Sequence, residues 1–368
     1  MKKFFVAVSI LMLSIACGSD SGGGDDTGGT PDEIEFDRSS LLVSWADDFI
    51  IPQFQAFLTD AEALVLAKDV FIETPNEANL VSLRTSLTTA YTSFQPAGTY
   101  ANLGRGGELN YYLNLNAHAL NVDETSANIQ NFENVNFSII ENQDTQGLPA
   151  VDYLVNGLAT TDAEIVAFYT GTESENYIGY LNLVVDRIES LTQEVLDDWT
   201  TSFRDEFVAN TSSASSGSFD IFLNAYIEFY EQRLRRSKVG FPSGALSGIQ
   251  FPNEIESLYN PTLSRALLIE ALDNAEDIYT GLPNSNMSLS SLINELGNEE
   301  LDTQIIAGFN SSRTQIETLN EDLQSQILTD NSAMLITRDE LQKVVTALKT
   351  DVTSILGVDI VFADTDGD

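Results

Sequence analysis

Apolar residues recur three and four positions apart along almost the whole chain, the period of a helix with one buried face. Residues 39–68 set the pattern. Leu41, Leu42, Trp45, Phe49, Phe54, Phe57, Leu58, Ala61, Leu64 and Val65 fall on one stripe, and Pro52, which lacks an N–H, is expected to kink it. Thr74-Pro75-Asn76-Glu77 reads as a capping box with proline in the first turn. Leu80, Leu83, Leu87, Tyr91 and Phe94 then form a second stripe that Pro96 and Gly98 close. Thr160-Thr161-Asp162-Ala163-Glu164 starts a short helix, and a long one follows over 175–209. Further helices are expected over 219–236, 262–281, 289–296 and 299–328. A last one runs over 337–357, from the box Thr337-Arg338-Asp339-Glu340 to Gly357 as C-cap. Two-residue alternation never persists, and residues 358–363 are the one candidate strand. The pattern predicts an all-α fold. The ~330 residues that follow the leader exceed one comfortable core, so two helical-bundle domains are expected. The loop NTSSASSGS at 210–218 marks the boundary between them.

The two ends of the chain change this picture. Lys2 and Lys3 precede an apolar stretch over 4–16, too short to span a bilayer stably, which makes residues 1–16 a signal peptide. Ser14-Ile15-Ala16-Cys17 has the small residues of a lipoprotein cleavage site, with Cys17 as the lipidated first residue; an ordinary secretory peptide with a chance cysteine is the competing reading. Cys17 is the only cysteine, so the mature chain has no disulfide framework and no thiol nucleophile or metal ligand beyond it. Residues 17–35, rich in glycine and aspartate, form a flexible acidic tether. The folded part then divides into 36–210 and 211–368.

Charge excludes one class of partner. The chain has 17 Lys and Arg against 56 Asp and Glu, a formal net charge of −39, and such a field repels nucleic acid and anionic membrane. It suits cations or basic peptides, and equally suits plain solubility at a cell surface. Against that background Arg233, Arg235, Arg236 and Lys238 crowd the end of a helix. The helix dipole explains them, and so does a local anion site or an interdomain anchor. The fragment Gly104-Arg105-Gly106-Gly107 lacks the Lys-Ser/Thr of a phosphate loop. His118, the sole histidine, has no partner at metal-ligand spacing and reads as a hydrogen-bonded structural residue. Asp359, Asp364, Asp366 and Asp368 resemble the start of a calcium loop without its closing Glu. Residues 146–157, QGLPAVDYLVNG, begin as a Gly-x-Pro helix start, and their only charge is Asp152. A lone carboxylate there is either a satisfied polar group or a functional one.

The stretch QGLPAVDYL, the segment RRSKVGFP at 235–242, the acidic NEIESLY after it and the ending LKTDVTSILGVDIVFADTDGD together resemble the imelysin family, also called insulin-cleaving peptidase-like or M75. The resemblance covers the chain from about Phe36 onward and implies two helical domains with a cleft between them. It also implies a secreted or lipid-anchored protein of the cell envelope, here on the outer membrane, with links to iron acquisition. The family's signature is Gly-x-His-x-x-Glu at a helix start. Laid on this chain, the Gly falls on Gly147, the His position on Pro149 and the Glu position on Asp152.

That departure removes an imidazole that would share one helical face with the carboxylate, so peptidase chemistry lacks its histidine. Asp152 with Glu254 and Glu256 could still hold a hard cation such as Ca²⁺ or iron, since these need only oxygen ligands. Arg233, Arg235, Arg236 and Lys238 could meet an anionic iron chelate, and Tyr153, Tyr226 and Tyr259 could ligate haem iron. The expectation is a non-catalytic, cleft-binding envelope lipoprotein linked to iron or haem uptake. A divergent metallopeptidase and a surface adhesin or scaffold are the alternatives.

Overall fold

A computed structural model describes residues 37–283 and 287–362. The leader, Cys17 and the tail carboxylates Asp364, Asp366 and Asp368 lie outside them. Among the described residues every regular element is helical.

The first helix, α1 (Arg38–Glu73), buries Phe54, Phe57, Ala61, Leu64 and Phe71 on the expected stripe. Pro52 does not break it. The helix widens to π-type turns over Trp45–Ile50 just before the proline, and such widening is one way a helix accommodates a missing donor. The next helix, α2 (Glu77–Gly98), is capped by Asn76, whose side chain accepts from the N–H of Asn79 at 3.0 Å. Thr74 is therefore not the cap, and Pro75 stands outside the helix.

After a single helical turn at Arg105–Glu108 come α3 (Tyr111–Asn116), α4 (Val122–Gln130) and α5 (Gly147–Asp152), the last continuing into a wide turn over Tyr153–Gly157. The short helix expected near 160–164 is α6 (Asp162–Phe168), and Thr161 and Glu164 form a capping box at its start. Then come α7 (174–209), α8 (218–240), α9 (Ser264–Thr280), α10 (Leu289–Glu295), α11 (Glu299–Glu317) and α12 (323–356).

Two of the expected boundaries move. The helix at 299 ends at Glu317, and α12 starts at Leu323 with Asp322 as cap. Asp330 has non-helical angles (φ −150°, ψ 83°) and bends α12, and its side chain accepts from the N–H of Ser332 at 3.1 Å. Thr337 caps nothing; its hydroxyl donates to the carbonyl of Ala333 at 2.9 Å inside the helix. Nor do residues 358–362, the described part of the expected strand, form one. They carry no regular structure and are held where Asn224 donates to the carbonyl of Asp359 (3.0 Å) and accepts from the N–H of Val361 (2.9 Å).

The helices pack as two groups within one compact unit, Phe36–Asp368. In one group α1 lies against α2 and α7, with α5 against α7; in the other α12 lies against α11 and α8, with α9 against α11. The groups meet where α2 packs on α9 and where Trp45 of α1 stacks on Phe222 of α8, centroids 3.8 Å apart. The apolar interior is continuous through both. This packing carries α5, the end of α8 and the loop before α9 to one place.

Candidate functional site

The site begins with a close approach. Gly147 has φ +73°, and a Cβ there would lie 2.3 Å from the carbonyl oxygen of Leu115. Only glycine lets α5 start against the end of α3. The preceding Gln146 is buried, accepts from Arg187 Nε at 2.6 Å and donates to the carbonyl of Asn142 at 3.2 Å, which anchors the chain before the turn. Pro149 and Asp152 follow, both buried.

Asp152 is satisfied on both oxygens. Asn156 donates to Oδ1 at 2.9 Å and the N–H of Tyr259 donates to Oδ2 at 2.9 Å. Burial nevertheless pushes its carboxyl up to about 6; these hydrogen bonds and the charge of Arg84 only partly offset the desolvation. Asn253, Ile255, Ser257, Leu258 and Tyr259 pass beside it. Together with Pro149, Asp152 and 118–120 they enclose a cavity of about 10 Å³, the lower limit for one water.

His118 also lines that cavity, although nothing in its sequence surroundings suggests it. Its Nδ1 lies 3.1 Å from the carbonyl oxygen of Glu254. A carbonyl can only accept, so Nδ1 carries the proton and Nε2 keeps the lone pair. Burial lowers the imidazole's pKa, and Lys238 adds to that effect while Glu256 opposes it. The ring is therefore neutral near pH 7. Imidazole and carboxylate do share one wall here, but they come from α5 and from the turn after α3, not from one helical face.

Glu256 sits one layer deeper, 3 % exposed. It accepts from Gln95 Nε2 at 3.0 Å and Asn116 Nδ2 at 2.5 Å, and pairs with Lys238. Lys238 donates also to Gln95 Oε1 at 2.8 Å, and Tyr91 donates to Asn116 Oδ1 at 2.9 Å. Burial works against the Glu256 charge, but the ammonium, His118 and the donors outweigh it and hold the carboxyl below its ordinary range. Burial likewise holds Lys238 below the usual lysine value. Beside the pair, Ser257 takes φ +57°, a strained conformation for a residue with a side chain.

The basic run resolves into separate contacts. In α8, Glu231, Arg235 and Lys238 recur at four and three residues, so the helix turns all three inward. Buried Glu231 takes Arg235 at 3.6 Å and Lys349 at 2.9 Å, and Arg235 also donates to Gln342. The guanidinium of Arg233 lies 4.7 Å from the ring centroid of Tyr112, and Arg236 donates to Gln232 at 2.9 Å. The four cations therefore do not converge on one anion. Two of them, Arg235 and Lys238, are counterions to buried carboxylates.

The expected cation ligands do not converge either. Asp152 lines the cavity, whereas Glu254 accepts from the N–H of Ala119 at 3.0 Å and Glu256 faces Lys238. Among the described residues no group of three or more His, Cys, Asp or Glu side chains is disposed to hold a metal. Of the three tyrosines, Tyr153 and Tyr259 come together with centroids 5.2 Å apart, while Tyr226 donates to the carbonyl of Ala275 at 2.8 Å. In the Gly104 loop, Asp198 accepts from the N–H of Arg105 at 3.0 Å.

An all-helical protein with a buried polar core behind a glycine-started helix is the class so defined. The family model for imelysin, peptidase M75, matches residues 50–355, and the chain belongs to the imelysin family. Its fold is similar to that of a solved protein from Parabacteroides distasonis ATCC 8503, assigned as an iron-regulated protein A precursor. The TM-score is 0.72 at 17% identity, over 90% of this chain and 97% of that one. An imelysin-like protein from Psychrobacter arcticum 273-4 gives a TM-score of 0.69 at 14% identity, over 88% and 97%. A comparison with curated protein sequences gives no match. Within the family this chain is divergent, with Pro149 at the signature histidine.

Proposed function

We propose that this imelysin is a non-catalytic lipoprotein of the cell envelope that binds a ligand between two helical domains, 36–210 and 211–368, in support of iron or haem acquisition. The observation that carries the reading is the condition of the signature. Pro149 offers no ligand atom and Asp152 has a donor on each oxygen, so the signature position lacks the free ligand pair that hydrolysis would need. Binding or architecture suits such a site better than hydrolysis does. The iron link draws on the name of the Parabacteroides relative. The envelope location draws on the leader and Cys17, which would hold the chain on the outer membrane.

Titration calorimetry with Fe³⁺-citrate, haem and Ca²⁺ tests the ligand, with heat from at least one expected. Silence from all three sinks the iron- and cation-linked form. A Cys17→Ser variant is expected to leave the membrane fraction; retention there overturns the anchor.

A divergent metallopeptidase is the second reading, favoured by His118 and Asp152 lining one cavity. Cleavage of an unstructured substrate that a chelator abolishes, and that His118→Gln also loses, would support it. An absence of cleavage removes it.

A further inference from the structure

A second concavity, of about 370 Å³, is lined by residues before and within α3, by the segment 137–143 and by Arg187 of α7. Its volume is within the range of small-molecule sites, and it shares no lining residue with the cavity beside Asp152. Two contacts hold the Arg187 side chain. Its Nε donates to Gln146 Oε1 at 2.6 Å, and its guanidinium lies 5.6 Å from the ring centroid of Phe137, within cation–π range. Gln146 cannot turn its oxygen away, because its Nε2 already faces Asn114 Oδ1 and the carbonyls of Phe137 and Asn142, at 3.2, 3.3 and 3.2 Å.

The far edge of the guanidinium is open. Neither terminal nitrogen makes a hydrogen bond, and neither is buried. Among the described residues no carboxylate pairs with Arg187, in a chain where 56 acidic residues face 17 basic ones. Asp186 and Glu194 of the same helix are engaged by Lys68 and Arg105, each at 2.6 Å. Glu108, on the lining, is held by Arg105 at 2.5 Å. Burial lowers the pKa of Arg187, and Glu194 only opposes this, so a partly desolvated charge stands without a counterion.

The rest of the lining is largely uncharged. Ile139 and Ile140 are exposed, 43 % and 73 %, and Leu109 lies on the same wall. Ser138 and Gln143 add a hydroxyl and an amide as donors.

We propose that this concavity binds a small organic monocarboxylate with an aliphatic body. The carboxylate would take two parallel bonds from the terminal nitrogens of Arg187, and the aliphatic body would cover Leu109, Ile139 and Ile140. One charge is the limit, because the acidic field of the chain repels a dianion more strongly than a monoanion.

The test uses the mature protein and titration calorimetry at about 150 mM salt, where the diffuse field is screened. Hexanoate is expected to bind at one site. Hexanamide, with the same shape and no charge, and inorganic phosphate, with charge and no apolar body, are expected not to bind. Arg187→Gln should weaken hexanoate at least about tenfold. Ile140→Asp, at the exposed rim, puts a carboxylate into the same concavity and should abolish binding with the melting temperature preserved, which separates loss of the site from loss of the fold. Lys343→Gln, which removes an exposed cation of α12, should leave binding unchanged. The proposal is overturned if hexanoate does not bind, if hexanamide or phosphate binds as well as hexanoate, if Ile140→Asp or a folded Arg187→Gln keeps the full affinity, or if Lys343→Gln weakens binding as much as they do.

Discussion

Asp152 carries its charge at a cost that depends on pH. Its carboxyl is ordinarily near 3.8 and is pushed up to about 6 in the folded chain, so between these values the folded state binds more protons than the unfolded one. Stability from this group therefore falls as pH rises from about 4 to 6, by up to ~3 kcal/mol, and is level above that. Asp152→Asn should flatten this part of the profile, read as urea midpoints at pH 4, 5, 6 and 7. An unchanged slope would show that another group is responsible. Gly147 and Gly248 give a second contrast at this scale. Both have positive φ, but a Cβ at Gly248 meets nothing within 4 Å, whereas one at Gly147 meets the Leu115 carbonyl at 2.3 Å. Gly248→Ala should cost about 1 kcal/mol and Gly147→Ala at least twice that, by thermal unfolding. Equal costs would mean that the turn before α5 can relax.

At the scale of elements, apolar spacing was a good guide to which residues face inward and a poor one to where helices stop. The stripe through Phe54, Phe57, Ala61 and Leu64 is buried as the period requires. A capping box, by contrast, is four residues of local chemistry that a continuing helix can override. At Thr337 the hydroxyl turns back to Ala333, while Asp330, without a box, bends the helix and caps the next segment. Asp330→Ala should cost about 1 kcal/mol and Thr337→Val less than ~0.5 kcal/mol; the reverse order would return the boundary to 337. The site was legible in the same partial way. Asp152, Glu254 and Glu256 lie on neighbouring segments but face different partners: Asn156 and the N–H of Tyr259, the N–H of Ala119, and Lys238. What those partners would be was not legible. Lys238 suggested a local anion site or an interdomain anchor, and it pairs with Glu256 and donates to Gln95. His118 is hydrogen-bonded as its isolation in the sequence suggested, but its partner is a backbone carbonyl 136 residues away, which no local spacing records.

For the molecule as a whole, the Glu256 pair joins α2, α8 and the loop before α9. Lys238→Met should cost roughly 3–5 kcal/mol, because it leaves a carboxylate buried without its counterion. Adding Glu256→Gln to that variant should recover a large part of the loss, since the two residues act as a unit. Additive losses in this double-mutant cycle would mean that the pair is not coupled. A recovery would establish that the cluster is balanced internally and that its charges are not held in reserve for a ligand.

The long reach of Glu256 also bears on time. Gln95 lies 161 residues from it along the chain and Asn116 140 residues, so these bonds close some of the longest loops in the molecule. Closing such loops costs chain entropy before the contacts repay it, so contacts of that kind are expected to form late, downstream of the barrier to folding. Interactions absent from the transition state leave the folding rate nearly unchanged and slow unfolding instead. The bonds from Gln95 and Asn116 to Glu256 should then act as a latch whose removal shortens the lifetime of the native state far more than it delays its formation.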